Sequence, residues 1–194
     1  LPYQELGRKK LQIGFDPKLH TRKELKMIFL KTRCKLLPLK NIVKKIWRNY
    51  EVENNKKFYH LPKNAIGQSH TIKIEKVVKF LKKRKIDLQL VTSSENIAWL
   101  LNIRGNDSKF VPIPNSYLVI DNNKKIILFC DLKKIDKKFK RKFKKIRFHD
   151  ILDIQKFLEK IRYKNISIDR NTCSFYFENI FLKSNKINNF FDPI

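Results

Sequence analysis

The sequence predicts an α/β protein in which a mixed β-sheet is flanked by helices, and three observations support this. Apolar residues make up 42% of the 194 residues, which is enough to bury a core. Strand-like segments alternate along the chain with segments whose apolar residues recur at helical spacing, as in sheets connected by helices. Two strand-like segments also flank Asn122 and Asn123, a pair that tolerates positive φ, which predicts an antiparallel hairpin within the sheet.

The first fifty residues predict a strand, a helix, a second strand and a short helical turn. Thr21 and Glu24 form a capping-box pattern at the start of the helix. Pro38 indicates that the second strand is an edge or an end. The polar stretch 49–57 is the best linker candidate, so we place a domain boundary between residues 52 and 53. The four elements are residues 11–16, 21–32, 34–40 and 41–47, the last of which carries Trp47.

The rest of the chain predicts a longer alternation of helices and strands. Thr92 and Glu95 form a second capping-box pattern, and Gly105 stands where a helix commonly ends in the left-handed conformation. The predicted helices are 72–85, 94–103, 133–145, 151–161 and 172–184. The predicted strands are 87–92, 116–121, 125–131, 146–150 and 165–170.

The most basic stretch of the chain is 133–145, in which Ile135, Phe139 and Phe143 are spaced four residues apart. This spacing places the three side chains on one stripe of a helix and leaves lysine on the other faces. We interpret the stretch as a surface helix that docks through its apolar stripe rather than as a basic arm.

The net charge of +27 first suggests a nucleic-acid-binding protein. However, 35 of the 45 basic residues are lysine, and the abundance of Lys, Asn, Ile and Phe is typical of an AT-rich genome. Arginine, whose planar fork makes bidentate phosphate contacts, is the scarcer cation. We therefore expect no specific nucleic-acid partner. The apolar runs are too short to cross a bilayer, so we expect no membrane contact either.

No catalytic or metal-binding motif is recognisable from the residues alone. The four glycines are too scattered for a phosphate-binding loop, and the four histidines lie far apart. The three cysteines include no C-x-x-C pair, which favours a reduced, cytoplasmic location.

One segment carries a family signature. Residues 95–107, ENIAWLLNIRGND, followed by a Pro-containing loop and SYLVID, resemble the E-I-A-W-L-L-N-x-R-G-x-D run of aminopeptidase P, the Xaa-Pro aminopeptidases of the creatinase/prolidase superfamily. Three further segments resemble family motifs in the same order, and Lys44 stands where the family usually has Asp. These segments are GFDPKLHT (14–21), NIVKKIW (41–47) and IGQSHTIKI (66–74).

The resemblance implies a creatinase N-terminal-like fold and a fragment of a longer enzyme. Residues 1–52 would be the C-terminal part of a first such domain and 53–194 a second one, with the catalytic pita-bread domain absent. In the family, two divalent metals, expected to be manganese, are held by residues of that domain. We therefore expect no catalytic residue, metal or cofactor in this chain. Its expected partners are the catalytic domain of the same polypeptide and, in the full-length enzyme, a second subunit of a homodimer.

Five motif residues are our candidate site, and we assign them a structural role: Trp99, Asn102, Arg104, Gly105 and Asp107. Asn102 can bond backbone groups at the helix end, and Arg104 and Asp107 could pair across Gly105. If any of them contacts substrate, Arg104 is our choice, because it is a permanently charged fork beside a glycine-loosened loop.

The predicted function is the non-catalytic N-terminal portion of a metal-dependent Xaa-Pro aminopeptidase, a hydrolase that releases the residue preceding proline. This portion would shape substrate access and subunit contacts, and the chain alone should be inactive. Two alternatives remain open: a stand-alone protein-interaction module of the same fold, and, less favoured, a basic nucleic-acid-binding protein.

Overall fold

The computed structural model describes residues 10–46 and 56–189, which fall into two compact units. The first unit comprises residues 1–52 and 170–179, and the second comprises 53–169 and 180–194. The predicted boundary at 52/53, Trp47 and most of the predicted linker lie outside the described residues, so the domain division stays a prediction. None of the described helices combines the length and apolar character that a bilayer span requires.

The first unit contains a parallel pair of strands connected by a helix. Its elements are β1 (Gln12–Phe15), α1 (Arg22–Phe29), β2 (Lys35–Pro38) and α2 (Val43–Ile46). The predicted capping box of α1 is present: Thr21 Oγ1 accepts from the Glu24 N–H at 3.1 Å, and Glu24 Oε2 accepts from the Thr21 N–H at 2.8 Å. Pro38 ends β2, as predicted, because it cannot donate to a continuing ladder.

A buried ion cluster holds residues 170–179 within the first unit. Glu178 is only 1% exposed, and its carboxylate faces Arg22 Nε at 3.2 Å and Arg170 Nε at 2.9 Å. The ring of Phe175 lies under the Arg22 guanidinium and edge-on to Phe15. A buried carboxylate needs such partners, because an unpaired charge there would be strongly destabilising.

The second unit is built on a mixed sheet, as predicted, and the sheet has six strands. Residues Phe175–Leu182 form the last helix, α7. The elements of this unit before α7 are β3 (Tyr59–His60), α3 (His70–Lys83), β4 (Leu88–Val91), α4 (Ser94–Leu101), β5 (Ile103–Arg104), β6 (Ser116–Asp121), β7 (Ile126–Cys130), α5 (Lys137–Lys142), β8 (Ile146–Asp150), α6 (Ile154–Glu159) and β9 (Asn165–Ile168), and β10 (Lys186–Asn189) follows α7. The strand order of the sheet is β10-β9-β4-β6-β7-β8, in which β6 is antiparallel to both neighbours and the other pairs are parallel. Two short strands, β3 and β5, form a separate antiparallel pair.

Helices cover both faces of this sheet, so every residue of β7 is buried. Leu128 and Cys130 pack in the core that α3 and α4 close on one face. On the other face, the ring of Phe129 lies 5.2 Å from that of Phe157 on α6. The predicted apolar stripe of α3 is fully buried: Ile74, Val77, Val78 and Leu81.

The turn between β6 and β7 differs from the prediction. The positive φ, 64°, falls on Lys124 and not on the Asn122-Asn123 pair. The cause is Asp121, whose Oδ1 accepts from the N–H groups of Asn123 at 2.9 Å and Lys125 at 2.8 Å. This side-chain cap fixes a longer turn than the two-residue loop that the asparagines suggested.

The predicted helix 133–145 is broken into a 3₁₀ turn, Leu132–Lys134, and the shorter α5. Asp136 interrupts it, because its Oδ1 accepts from the Phe139 N–H at 2.6 Å and starts a new helix. The predicted stripe is nevertheless buried, with Ile135, Phe139 and Phe143 at most 7% exposed. The predicted helix 151–161 is likewise a 3₁₀ turn, Ile151–Asp153, followed by α6.

Candidate functional site

The motif segment, residues 95–107, forms α4, β5 and the start of the following loop. The residue that caps α4 is Ser93, whose Oγ accepts from the Asn96 N–H at 3.3 Å, so the predicted Thr92 cap is wrong by one residue. Ser93 Oγ also donates to Glu95 Oε2 at 2.9 Å. The apolar face of α4 lies in the core: Ile97, Ala98, Leu100 and Leu101.

Asn102, not Gly105, ends α4 in the left-handed conformation, with φ 56° and ψ 39°. The Gly105 prediction is wrong on this point, since no glycine in the described ranges has a positive φ. Asparagine adopts this conformation more readily than most residues because its short polar side chain bonds locally. Asn102 Nδ2 donates to the Gln68 carbonyl at 2.8 Å, so the side chain ties the helix end to the segment that precedes α3.

Lys73, which lies on α3, binds this helix end with its side chain, although it did not belong to the predicted site. It is 5% exposed, and its Nζ donates at 2.6 Å both to Asn102 Oδ1 and to the Trp99 carbonyl. Nζ also lies 3.9 Å from the centroid of the Trp99 ring. A cation at this point adds a second donor to the Trp99 carbonyl, which also accepts from the Asn102 N–H at 3.3 Å, and it offsets the negative end of the helix dipole.

The pKa of Lys73 is lowered, first by burial and then by the positive charge of Arg104. The amine therefore binds a proton less readily than the amine of an exposed lysine, although two oxygens and an indole ring lie next to it. The arrangement acts as a brace that links α3 to the end of α4.

Arg104 and Asp107 do not form the predicted pair. Arg104 Nη1 donates to the Ile103 carbonyl at 2.8 Å and to the Ala98 carbonyl at 3.3 Å. Asp107 instead forms an ion pair with Lys134, and its Oδ2 accepts from the Asn115 N–H at 2.6 Å. Each side chain is thus held by its own partners, and Asp107 fixes the loop that leads into β6.

Gly105 is required by close packing and not by its backbone angles. A Cβ at this position would lie 2.8 Å from the Pro114 Cα and 3.1 Å from both the Ile113 carbonyl oxygen and Phe58 Cε1. The two sides of the loop approach too closely for any side chain.

His60 and His70 lie in an aromatic cluster that sequence patterns did not reveal. The His60 ring stacks on Phe139 at 4.5 Å, and both histidines contact Phe143 at 4.9 Å. Burial, assisted by Lys142, lowers the pKa of His60 to about 4, and burial with Lys73 lowers the pKa of His70. Both imidazoles are therefore neutral at pH 7.

The described residues do not offer a metal centre. Between residues 10 and 46 and between 56 and 189, no group of three or more His, Cys, Asp or Glu side chains is placed to hold an ion. Burial raises the pKa of the Cys130 thiol to about 12, so this cysteine does not supply a thiolate near neutral pH. The two divalent metals that the resemblance implies do not fit these residues.

Of the five predicted site residues, the structure joins Trp99 and Asn102 through Lys73, while Arg104, Gly105 and Asp107 brace the adjoining loop. One sequence signal for Lys73 was present. Lys73 is four residues before Val77 and eight before Leu81, so it interrupts the apolar face of α3 with a charge. A lysine at such a position needs a specific partner. The Lys134 partner of Asp107 had no comparable signal.

Comparison with family models identifies residues 51–194 as a Creatinase/Prolidase N-terminal domain. Curated relatives include Xaa-Pro aminopeptidase 1 of Dictyostelium discoideum, 30% identical over 146 residues, which covers 68% of this chain and 23% of the relative. Protein pid-5 of Caenorhabditis elegans is 34% identical over 131 residues, covering 66% of this chain and 12% of the relative. The chain thus spans less than a quarter of the length of these relatives.

Among solved structures, the chain resembles the X-prolyl aminopeptidase of Caenorhabditis elegans, described as a cytosolic enzyme with a di-nuclear active site. The TM-score is 0.84 at 21% identity, and the match covers 98% of this chain and 34% of the other. At this identity the likeness establishes the fold, and it confirms the predicted α/β architecture of creatinase N-terminal type.

Proposed function

The chain belongs to the creatinase/prolidase N-terminal domain family, and we propose that it is the non-catalytic N-terminal portion of a metal-dependent Xaa-Pro aminopeptidase. The parent enzyme would release the N-terminal residue that precedes proline. The present region would shape the path of peptides to the catalytic domain and contribute subunit contacts of a cytoplasmic homodimer.

The observation that supports this proposal most strongly is how the motif segment uses its polar groups. Lys73 and Asn102 bind each other and backbone carbonyls, and Asp107 binds Lys134 and a backbone N–H. These groups stabilise a helix end and a loop and are not aimed at a common reacting atom. Such an arrangement suits a scaffold that presents a fixed surface to a catalytic domain.

The metals belong, in this proposal, to the catalytic domain of the parent polypeptide. Two divalent ions, expected to be manganese, would supply a metal-activated water there. This region would contribute shape and not ligands.

Arg104 remains our candidate for a substrate-access contact. The residue is partly exposed, and two carbonyls accept from Nη1, so the charge is held in one place beside the loop. A fixed cation of this kind can attract the carboxyl end of a short peptide.

The test uses the 194-residue chain and the full-length product of its gene, each incubated with manganese and a short Xaa-Pro peptide. We expect release of the first residue by the full-length product only. Release by the 194-residue chain would contradict the non-catalytic assignment. A full-length product without metal-dependent activity would contradict the proposed parent enzyme.

A second experiment addresses Arg104 in the full-length product. Arg104→Lys should raise KM about threefold or more, with little change in kcat, because a point charge replaces a fixed fork. Arg147→Lys, at an exposed position on β8, is the matched control and should leave both constants unchanged. Equal kinetics for the two variants would remove Arg104 from substrate access.

A second candidate function is a stand-alone protein-interaction module of the same fold. Trp99 favours it, because the residue is 49% exposed although it lies on a well-packed helix, and tryptophan is enriched among interface hot spots. Sequencing the gene beyond Ile194 separates the candidates. Metal ligands in the continuation favour the enzyme, and their absence favours the module.

A further inference from the structure

A cavity of about 310 Å³ lies in the second unit beside the first turn of α3 and the link between α5 and β8. Its floor is apolar and consists of four buried side chains from α3, β7, the α5–β8 link and β8. They are Ile74, Ile126, Phe143 and Ile146. The floor belongs to the core of the unit and is therefore preformed.

The rim of the same cavity is strongly cationic. Five exposed basic side chains line it, from the β6–β7 turn and from the end of α5: Lys124, Arg141, Lys142, Lys144 and Lys145. The rim has one acidic side chain, Glu75, whose Oε1 lies 3.1 Å from Lys124 Nζ. The excess positive charge attracts an anionic ligand whose apolar part can enter the floor.

We propose that this cavity is a docking site for an acidic peptide segment that places one apolar side chain on the floor and its carboxylates on the basic rim. The proposal does not depend on a role in peptidase activity. It concerns a surface of the second unit that lies apart from the motif segment.

Three observations favour an acidic peptide over a nucleic acid. Four of the five rim cations are lysines, which lack the planar fork that makes bidentate phosphate contacts. The floor offers aliphatic carbon and one phenyl ring, which match an apolar side chain and not a phosphate backbone. The volume is at the lower end of the roughly 300–1,000 Å³ typical of ligand pockets, so it suits one or two side chains.

Compositional bias explains a high lysine content but not this arrangement. Seven of the nine residues from 137 to 145 are basic, and the other two, Phe139 and Phe143, are buried. Phe143 forms part of the floor while its neighbours on both sides line the rim. The basic stretch therefore surrounds an apolar cavity and differs from lysines scattered over a surface.

The test measures fluorescence anisotropy of a labelled peptide of eight glutamates with one central phenylalanine, using the 194-residue chain at physiological salt. A second peptide carries serine in place of phenylalanine, and a labelled oligo(dT) of twelve nucleotides represents a nucleic acid. We expect the phenylalanine peptide to bind about tenfold more tightly than the serine peptide, because one aromatic side chain is buried.

Three variants locate the site. The double variant Lys144→Glu, Lys145→Glu should lower the affinity for the phenylalanine peptide at least about tenfold, because two attractive charges become repulsive. The double variant Lys156→Glu, Lys164→Glu makes the same charge change at exposed positions that do not line the cavity. It should lower the affinity for the phenylalanine peptide by less than about twofold. Thr71→Trp, at an exposed lining position, should fill the cavity and abolish the preference for phenylalanine.

The proposal is supported if the phenylalanine preference depends on both the rim charges and the open cavity. Equal affinity for the two peptides would overturn it, as would equal losses in the two double variants. Tighter binding of oligo(dT), unaffected by Thr71→Trp, would show a nucleic-acid surface instead. Circular dichroism and thermal unfolding of each variant verify that the substitutions, all at exposed positions, leave the fold intact.

Discussion

The Nζ of Lys73 lies 2.6 Å from the Oδ1 of Asn102, although 29 residues separate them in the chain. The contact joins α3 to the residue that ends α4, and the Trp99 carbonyl completes it. A buried lysine thus stabilises the left-handed turn from which the rest of the motif segment is positioned.

Lys73→Met should lower the free energy of unfolding by about 1–3 kcal/mol, because the buried Asn102 Oδ1 loses its Lys73 donor and the Trp99 carbonyl keeps only its contact with the Asn102 N–H. The control is Lys79→Met, at an exposed position on the same helix, which should change stability by less than about 0.5 kcal/mol. Urea unfolding followed by circular dichroism measures both. Equal stability of the two variants would show that the buried contact is dispensable.

Gly105→Ala should destabilise the second unit by about 1–3 kcal/mol, because a Cβ would lie 2.8 Å from the Pro114 backbone. Gly67→Ala is the matched control, since nothing lies within 4 Å of its Cβ position. That substitution should be neutral or slightly stabilising, because it restricts the unfolded chain. Thermal unfolding compares the two, and a harmless Gly105→Ala would refute the close-packing explanation.

Glu178→Gln should destabilise the first unit by about 2 kcal/mol. It removes the buried negative charge that faces Arg22 and Arg170, and both guanidiniums then lose their counter-ion. The expected loss is below that of a fully buried pair, because both arginines are partly exposed. Glu75→Gln breaks an exposed pair and should cost less than about 0.5 kcal/mol. Chemical unfolding would contradict the prediction if both variants lost the same stability.

Acidification should destabilise the second unit through His60. Its folded-state pKa, about 4, is below the ordinary value of 6.5, so the unfolded chain binds the proton more readily. The stabilising contribution is present above pH 6.5 and is lost as the pH falls towards 4. We expect the unfolding free energy to decrease by on the order of 1–2 kcal/mol between pH 7 and pH 5.

His60→Phe provides the control for this pH effect, because it keeps the stacking on Phe139 and removes the titrating group. Denaturant unfolding at several pH values should give a flatter profile for the variant than for the parent. Parallel profiles would assign the acid sensitivity to other groups.

Much of the fold could be predicted from local patterns, because each pattern reflects a local physical requirement. The capping box at Thr21, the apolar stripe of α3 and the hairpin of β6 and β7 all follow from residues close in sequence. The mixed sheet followed from the order of these elements. The buried stripe of Ile135, Phe139 and Phe143 was also predicted, although Asp136 breaks its helix.

The details of the site could not be predicted, because distant partners decide them. Asn102 accepts the left-handed conformation since Lys73 and Gln68 bind its side chain, and Gly105 is required by Pro114 on the returning loop. Asp107 forms its ion pair with Lys134, whose position depends on the packing of the segment that follows β7. Arg104 therefore does not pair with Asp107, and its Nη1 donates to the carbonyls of Ala98 and Ile103 instead.

The place of β4 in the sheet also has a consequence during synthesis. This strand pairs with β6 on one side and with β9 on the other, and roughly 75 residues separate it from β9 in the chain. At about 5–20 residues per second, a ribosome needs roughly 4–15 s to supply β9 after β4 has emerged. For that interval the edge of β4 that later pairs with β9 is unpaired in the nascent chain, and an unpaired strand edge can pair with another chain.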